Sequence, residues 1–257
     1  MRLAAAPVAR LRRSIRGAAG IARSLRIYYG NPARRRMMAA LYSHFVKPGD
    51  LVFDIGAHVG DRIAAFRSLG VRVVAIEPQP AAYRWLKLRY GRDPMVSLVQ
   101  AAMGDHAGEA SFHVNLANPT VSTASKDFIA AARGASGWEG QHWDETISVP
   151  LVTLDMLIEK HGAPAFAKID VEGFELNVLN GLSEPIPALS FEFTTIQRDL
   201  AVACIERLTQ LGPYEFNAAL GESQQLLFQK DVSPAMMRTH LRTLPHEANS
   251  GDIYARL

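Results

Sequence analysis

The sequence predicts an α/β protein whose sheet is doubly wound and mostly parallel, and two observations support this fold class. A buried apolar strand, a glycine loop and a helix follow one another over residues 51–70. Further apolar strands then alternate with helical patterns along the chain. In open parallel sheets, ligands bind outside the carboxyl ends of the strands. Residues at strand ends are therefore the candidate site residues.

Composition indicates one globular domain. Of the 257 residues, 48% are hydrophobic and 21% are charged, which suits a single core. The one cysteine, Cys204, excludes an intramolecular disulfide framework and a cysteine-rich zinc cluster. No apolar run reaches the ~20 residues of a membrane span. We expect a protein of the reducing cytoplasm.

The N-terminal region is strongly basic. Residues 1–49 contain ten arginines and Lys47 but no acidic residue, whereas the rest of the chain is net acidic. We divide the chain into a basic arm, residues 1–32, and a domain, residues 33–257, and expect the arm to be dispensable for ligand binding. Its arginines interleave with apolar residues, which predicts contact with an anionic membrane or a nucleic acid. A solvated tail, a cap on the domain or on a partner subunit, and a transit peptide are the alternatives.

The first chemically loaded stretch is the glycine loop after the strand 51–55. Gly56 and Gly60 would let a ligand lie against the main chain. The loop lacks the middle glycine of the dinucleotide fingerprint and the Lys-Ser/Thr of a nucleotide-triphosphate loop. Asp54 near the strand end suits a ligand with a positively charged amino group, such as S-adenosylmethionine. A purely structural turn is the alternative.

A second acid follows at the end of the next predicted strand, residues 71–76. Glu77 lies 21 residues after Gly56, the spacing at which a carboxylate reaches the ribose hydroxyls of a bound adenosine. Nicotinamide dinucleotides and S-adenosylmethionine both fit this spacing. A third strand, residues 96–101, leads to Asp105, which is either a turn residue or a contact to an adenine amine.

The remaining elements extend the same alternation around one long excursion. Residues 115–145 are predicted to form a lid or substrate-facing insertion, or a partly disordered excursion. The other predicted helices are 33–45, 61–69, 80–90, 155–161, 174–182, 197–211 and 233–244, and the other predicted strands are 110–114, 147–152, 165–169, 188–193, 214–218, 225–229 and 252–256.

The second loaded stretch follows the predicted strand 165–169. Asp170 and Glu172 stand at its carboxyl end, and Gly173 then leads into a helix. These acids would share a sheet edge with Asp54 and Glu77. They could also simply complement the helix dipole or pair with a neighbouring lysine. Glu192 lies inside another apolar strand, where an acid is costly unless it is paired or active.

Taken together, these motifs resemble the FkbM family of S-adenosylmethionine-dependent methyltransferases, over about residues 45–195. The stretch Lys168 to Glu175 is the most specific of them, whereas the glycine loop is common to methyltransferases in general. The matching stretches are Phe53 to Gly60, Ile76 to Pro78, Gly104 and Asp105 with Gly108 beyond, Val152 to Asp155, and Lys168 to Glu175.

The resemblance implies a Rossmann-like, seven-stranded methyltransferase sheet with an antiparallel last strand. It also implies that the methionine end of the cofactor lies near Asp54 and Gly56, the ribose near Glu77 and the adenine near Asp105. No metal is expected. The predicted cofactor-binding residues are Asp54, Gly56, Ala57, Gly60, Glu77, Pro78, Met103, Asp105 and Asp170, and the predicted catalytic residues are Asp170, Glu172, His58 and Glu192.

By resemblance, the reaction is O-methylation of a hydroxyl group on a sugar, glycolipid or secondary metabolite. Glu172, His58 and Glu192 are candidates for the base that receives the hydroxyl proton. The arginine-rich arm raises two alternatives for the chain's partners: peripheral contact of residues 1–32 with anionic membrane, and methylation of RNA. A nicotinamide-dependent oxidoreductase is a further alternative, which leaves the Lys168 to Glu175 motif unexplained. Oligomeric state stays open.

Overall fold

The computed structural model describes residues 5–257, with side chains described from residue 16 onward. The helices are α1 Ala5–Tyr29, α2 Pro32–Tyr42, α3 Asp61–Ser68, α4 Pro80–Tyr90, α5 Lys126–Ala132, α6 Leu154–His161, α7 Glu175–Asn180, α8 Arg198–Leu211 and α9 Pro234–Thr243. The strands are β1 Leu51–Ile55, β2 Arg72–Ile76, β3 Val96–Val99, β4 Ala102–Met103, β5 Gly108–Val114, β6 Glu145–Val152, β7 Phe166–Ile169, β8 Ala188–Thr194, β9 Glu215–Leu220 and β10 Ser250–Arg256. Within this described part of the chain, no helix is both long and apolar enough to cross a membrane.

The main sheet has seven strands in the order β3, β2, β1, β7, β8, β10, β9. Neighbouring strands are parallel except that β10, the last strand in sequence, runs antiparallel to both β8 and β9. This arrangement confirms the predicted doubly wound sheet with an antiparallel last strand. The strand order reverses between β1 and β7, so the crevice at their carboxyl ends is the expected ligand site.

Both faces of this sheet are covered, as the continuous apolar runs predict. Phe53 and Ile55 of β1 pack with residues of α6, α7 and α8, whereas Val52 packs with α2, α3 and α4. Cys204 is fully buried in the first of these layers, as a core residue. The rigid centre of the molecule therefore lies directly beneath the ends of β1 and β7.

Two predicted strands differ in the structure. The third strand ends at Val99, and the chain continues as β4 in a second sheet of order β4, β6, β5. The segment 225–229 is irregular, because the side chain of Asn217 accepts from the Phe228 N–H at 3.1 Å and donates to the Phe228 carbonyl at 2.9 Å. Hydrogen bonds to the Asn217 side chain thus take the place of regular strand pairing at Phe228.

The C-terminal half of α1 packs against the domain. Ile21 is buried together with Ala82 of α4, and Leu25 and Tyr29 pack on the same cluster. Helix α1 ends at Tyr29 and α2 begins at Pro32, close to the expected boundary at residue 32. Asn31 caps α2 by accepting the Ala33 N–H at 3.0 Å. The division into arm and domain stays a prediction. The described part of the arm packs against the domain along the face that carries Ile21, Leu25 and Tyr29.

Candidate active site

A cavity opens to solvent at the carboxyl ends of β1, β2 and β7, and its empty space, open solvent included, is about 800 Å³. Its walls come from the glycine loop, the end of β2, the start of the second sheet, the insertion and the segment after β7. The predicted strand-end site and the cavity therefore coincide.

The glycine loop is shaped as much by the protein as by a ligand. Gly56 has a φ of +84°, and a Cβ there would collide with the main-chain carbonyl oxygen of Asp170. Gly60 has a φ of +80°, and a Cβ there would meet the side chains of Tyr90 and Leu86. The expectation that a ligand requires these glycines is thus incomplete, because close internal packing requires them too.

Glu77 ends β2 with its carboxylate at the cavity wall. Its Oε2 accepts the His58 N–H at 2.8 Å and its Oε1 accepts the Gln79 N–H at 2.7 Å. These bonds fix the carboxylate between the glycine loop and α4. Burial raises the pKa of Glu77 to about 7 in spite of both bonds. Each oxygen retains a lone pair, so the group suits the vicinal hydroxyls of a ribose.

Asp54 lies behind the cavity wall, 1% exposed. Within the described structure its two carboxylate oxygens accept no hydrogen bond. Burial raises its pKa to about 7, although the charge of Arg62 acts in the opposite direction. The contact predicted between Asp54 and the cofactor stays a prediction, since the side chain does not reach the cavity lining.

Asp170 lies between two cations. Its Oδ2 is 3.0 Å from Nη2 of Arg62 and 3.4 Å from Nζ of Lys168. Burial would raise the pKa of Asp170, but the charges of Lys168 and Arg62 outweigh it and lower the pKa. Lys168 is also held at 2.8 Å by Asp252. Asp170 is therefore an ionised, anchored carboxylate and a poor proton acceptor.

Glu172 and Glu192 differ from Asp170 in their charge environment. Carboxylate oxygens of these three residues all lie within 4.8 Å of one another. Burial and the charge of Asp170 raise the pKa of both glutamates well above the ordinary value. Carboxyl groups this close together titrate as a coupled group.

The backbone at Glu172 is unusual. Glu172 has a φ of +55° and Gly173 has a φ of +83°, so a non-glycine residue sits in the left-handed region at the cavity. Thr123 of the insertion donates its hydroxyl to the Glu172 carbonyl at 2.7 Å and so supports this conformation. Strain of this kind is typical of functional sites, where the surroundings hold it in place.

His58 reaches the cavity from the glycine loop. Burial lowers its pKa to about 4, so the imidazole is neutral at neutral pH. Its Nε2 has no hydrogen-bond partner within the described part of the chain. The ring can accept a proton in principle, but its low pKa makes it a weak base.

The predicted site residues divide into two groups. All four predicted catalytic residues line the cavity, as do the predicted cofactor residues Gly56, Glu77, Pro78, Met103 and Asp170. Asp54, Ala57, Gly60 and Asp105 do not line it.

Asp105 lies on the protein surface, where its Oδ1 is 2.7 Å from Nδ1 of His106. Strand β4 ends at Met103, and the turn that follows carries the Asp105 side chain away from the cavity. The structure gives no support to the predicted adenine contact, and the role of Asp105 stays a prediction.

The carboxylate cluster also bears on the expectation that no metal is used. Asp170, Glu172 and Glu192 offer oxygen ligands of the type that Mg²⁺ and Ca²⁺ prefer. Lys168 and Arg62 already neutralise Asp170, which weakens the cluster as a cation site. Independence from metal stays a prediction.

Several cavity-lining residues are not among the individual site residues that the sequence predicts. Tyr28 of α1, Arg62 of α3 and residues 120, 122 and 124 of the insertion all line the cavity. A basic residue in the first turn of a helix is unfavourable for the helix dipole, and this signal could have marked Arg62. The insertion faces the site, as predicted, and Phe128 packs edge to face on Trp138 to hold it.

The sequence of the chain matches a known protein family. The Methyltransferase FkbM domain matches residues 54–221, which include the glycine loop and all four predicted catalytic residues. The chain belongs to the FkbM methyltransferase family. The match confirms the predicted family and agrees with the predicted cofactor, S-adenosylmethionine. The oxidoreductase alternative is not supported.

Two curated relatives of this FkbM methyltransferase match with modest identity. The 31-O-demethyl-FK506 methyltransferase FkbM of Streptomyces tacrolimicus is 29% identical, over 54% of this chain and 62% of that protein. The hexuronic acid methyltransferase AglP of Haloferax volcanii is 25% identical, over 57% of this chain and 56% of that protein. The chain thus spans less than two thirds of either relative.

Solved methyltransferase structures are also similar to the chain. A precorrin-6y C5,15-methyltransferase from Geobacter metallireducens aligns with a TM-score of 0.44 and 12% identity, over 86% of this chain and 85% of that one. An O-methyltransferase from Bacillus cereus, in complex with SAH, aligns with a TM-score of 0.42 and 10% identity, over 93% of this chain and 90% of that one. The family assignment rests on the sequence match.

The cavity fits the cofactor of this family. Glu77 presents a fixed carboxylate at the end of β2, and the cavity continues from it to the ends of β1 and β7. A dinucleotide would need the phosphate loop that the sequence lacks. The acidic lining also offers little attraction to the phosphates of RNA.

Proposed function

We propose that this FkbM methyltransferase methylates a hydroxyl oxygen of a sugar, glycolipid or secondary metabolite. The observation that carries the proposal is the carboxylate pair Glu172 and Glu192 in the cavity, with raised pKa values. A carboxylate whose pKa lies above its ordinary value is a stronger proton acceptor than an unshifted one, which suits it to receive the proton of a hydroxyl group. The names of the two relatives support a small-molecule or sugar acceptor.

When bound, the cofactor supplies a methyl group attached to a sulfonium sulfur, and the rest of the cofactor is already an excellent leaving group. The residues of this chain then have to align the acceptor oxygen with the methyl carbon and receive its proton. With cofactor and acceptor bound, Glu172 would receive the hydroxyl proton that is lost on methyl transfer. Asp170 stays ionised beside Lys168 and Arg62 and keeps the cluster in place.

The wall of the cavity favours an acceptor without negative charge. Its lining includes the side chains Glu77, Asp170, Glu172, Glu192 and Glu222, against the positive charge of Arg62. A neutral hydroxyl group enters this surface more easily than a phosphate or a carboxylate does. Residues 115–145 cover the acceptor side, since Thr123 contacts the Glu172 main chain.

A labelled-methyl transfer screen tests this function. The full chain is incubated with methyl-labelled S-adenosylmethionine and panels of neutral sugars, hexuronic acids, glycolipids, polyketide hydroxyls and RNA. We expect label in an alkali-stable methyl ether on a hydroxyl acceptor. Alkali-labile label on a hexuronic acid would indicate methylation of a carboxylate, and label in RNA alone would indicate a nucleic-acid enzyme; either result contradicts the proposal.

We also propose that residues 1–32 contact anionic membrane. On the described outer face of α1, Arg26 is exposed and Ile27 is 45% exposed, the pairing of charge and apolar surface that favours an anionic interface. Sedimentation with anionic vesicles should be salt-sensitive and weaker for Ile27→Ser. The control Met156→Ser changes a similarly exposed residue of α6 and should bind normally. Equal binding to neutral vesicles would contradict this contact.

A further inference from the structure

The side chains that line the cavity include more acidic groups than basic ones. Among the described residues that line the cavity, Arg62 is the one with a permanent positive charge, and it faces five carboxylates. Lys168 lies behind the wall with a fully buried side chain. Arg62 is therefore the lining side chain that attracts a ligand carboxylate.

The position of Arg62 at the start of α3 is a second feature that favours the binding of an anion. It is the second residue of α3, immediately after the glycine loop, and its side chain is 15% exposed. A positive side chain in the first turn opposes the helix dipole, so helix stability does not account for it. The N-terminal end of a helix favours an anion, and the guanidinium is a charge-assisted donor for a carboxylate.

The pairing of Arg62 with Asp170 leaves donors free. Asp170 Oδ2 is shared with Lys168 and lies 3.0 Å from Nη2 of Arg62, so one nitrogen of the guanidinium makes this ion pair. A guanidinium carries five N–H donors in a planar fork. Arg62 can therefore hold Asp170 and bind a second carboxylate.

The cofactor has one carboxylate, at the end opposite its adenosine. Glu77 at the end of β2 is placed for the ribose, and β1 lies between β2 and β7. The amino-acid end of the cofactor then reaches the β1–β7 crevice, where Arg62 meets Asp170. We propose that Arg62 binds the carboxylate of S-adenosylmethionine and of its product, S-adenosylhomocysteine. Because this carboxylate belongs to the cofactor, the role of Arg62 is independent of the acceptor proposed above.

Calorimetry on the full chain, with no acceptor present, tests this role. The two ligands are S-adenosylhomocysteine and its decarboxylated analogue, which retains the amine. We expect Arg62→Met to weaken S-adenosylhomocysteine binding roughly 10- to 100-fold and to change analogue binding by less than about twofold. Arg62→Lys should restore part of the difference, since an ammonium keeps the charge but not the fork.

Arg67→Met is the matched control. Arg67 lies on the same helix, its Nε is 2.9 Å from Asp93 Oδ2, and it does not line the cavity, so both affinities should stay unchanged. Equal losses for both ligands in Arg62→Met would mean that Arg62 acts through Asp170, which overturns the proposal. Equal affinity of the unmodified protein for the two ligands would overturn it without any variant.

Discussion

The phenol ring of Tyr28 meets the imidazole of His58 edge to face, with ring centroids 5.6 Å apart. Tyr28 belongs to α1 and His58 to the glycine loop, so the arm and the cofactor loop are in direct contact. The guanidinium of Arg34 lies over the Tyr28 ring, 4.7 Å from the ring centroid. The basic arm thus contributes a wall of the cofactor cavity, which does not fit the expectation that it is dispensable for binding.

We therefore predict that Tyr28→Ala weakens S-adenosylhomocysteine binding roughly tenfold, because the cavity loses an aromatic wall. Tyr28→Phe should bind nearly normally, since the Tyr28 hydroxyl is a long 3.5 Å from Thr120 Oγ1. Titration calorimetry measures both. Tyr83→Ala, a partly buried tyrosine of α4 outside the cavity lining, is the control. Normal binding by Tyr28→Ala would show that α1 only covers the cavity.

The buried carboxyl of Asp54 predicts a pH dependence of stability. Its pKa rises from 3.8 to about 7 on folding, so the stability that it contributes is complete below pH 4 and is lost as pH rises through 7. Asp54→Asn should therefore raise the melting temperature relative to the natural protein at pH 8, and the gain should shrink toward pH 5. Melting curves without ligand measure this. A gain that does not depend on pH would contradict the assignment.

Much of the site could be predicted from local sequence pattern, because a few neighbouring residues are enough to recognise an acid at a strand end or a glycine in a loop. Glu77, Asp170 and Glu172 could be placed in this way. Tyr28 and Thr120 could not, since each reaches the cavity through the packing of distant segments. Asp105 shows the opposite limit, because it follows a strand end in the sequence, yet its side chain is exposed and does not line the cavity.

We predict that methyl transfer and cofactor binding persist in the presence of a strong chelator. Asp170, Glu172 and Glu192 lie close enough to share a cation. However, Asp170 already pairs with Arg62 and Lys168, and a hydroxyl attack on a sulfonium needs no metal to create a leaving group. Activity assays with and without chelator, followed by Mg²⁺ addition, measure this. Loss of activity that Mg²⁺ restores would identify the cluster as a metal site.

The two acids after β7 should differ in effect although they are two residues apart. Asp170→Asn removes the partner of Arg62 and one partner of Lys168, so we expect weaker S-adenosylhomocysteine binding as well as slower turnover. Asp252→Asn removes the other partner of Lys168 outside the cavity and serves as the control for that lysine. Similar losses of affinity in both variants would assign the effect to Lys168.

Glu172→Gln should spare cofactor binding, because in the described part of the chain the ion pairs of Arg62 and Lys168 are with Asp170 and Asp252, not with Glu172. If Glu172 receives the hydroxyl proton, the turnover number should fall by on the order of 10²–10⁴-fold. The raised pKa of Glu172 gives the natural enzyme an acidic limb, in which activity increases with pH as the carboxyl ionises. The variant should lose this limb. Near-normal turnover with an unchanged pH profile would assign the base to Glu192 or His58, and Glu192→Gln tested on the same acceptor distinguishes these two.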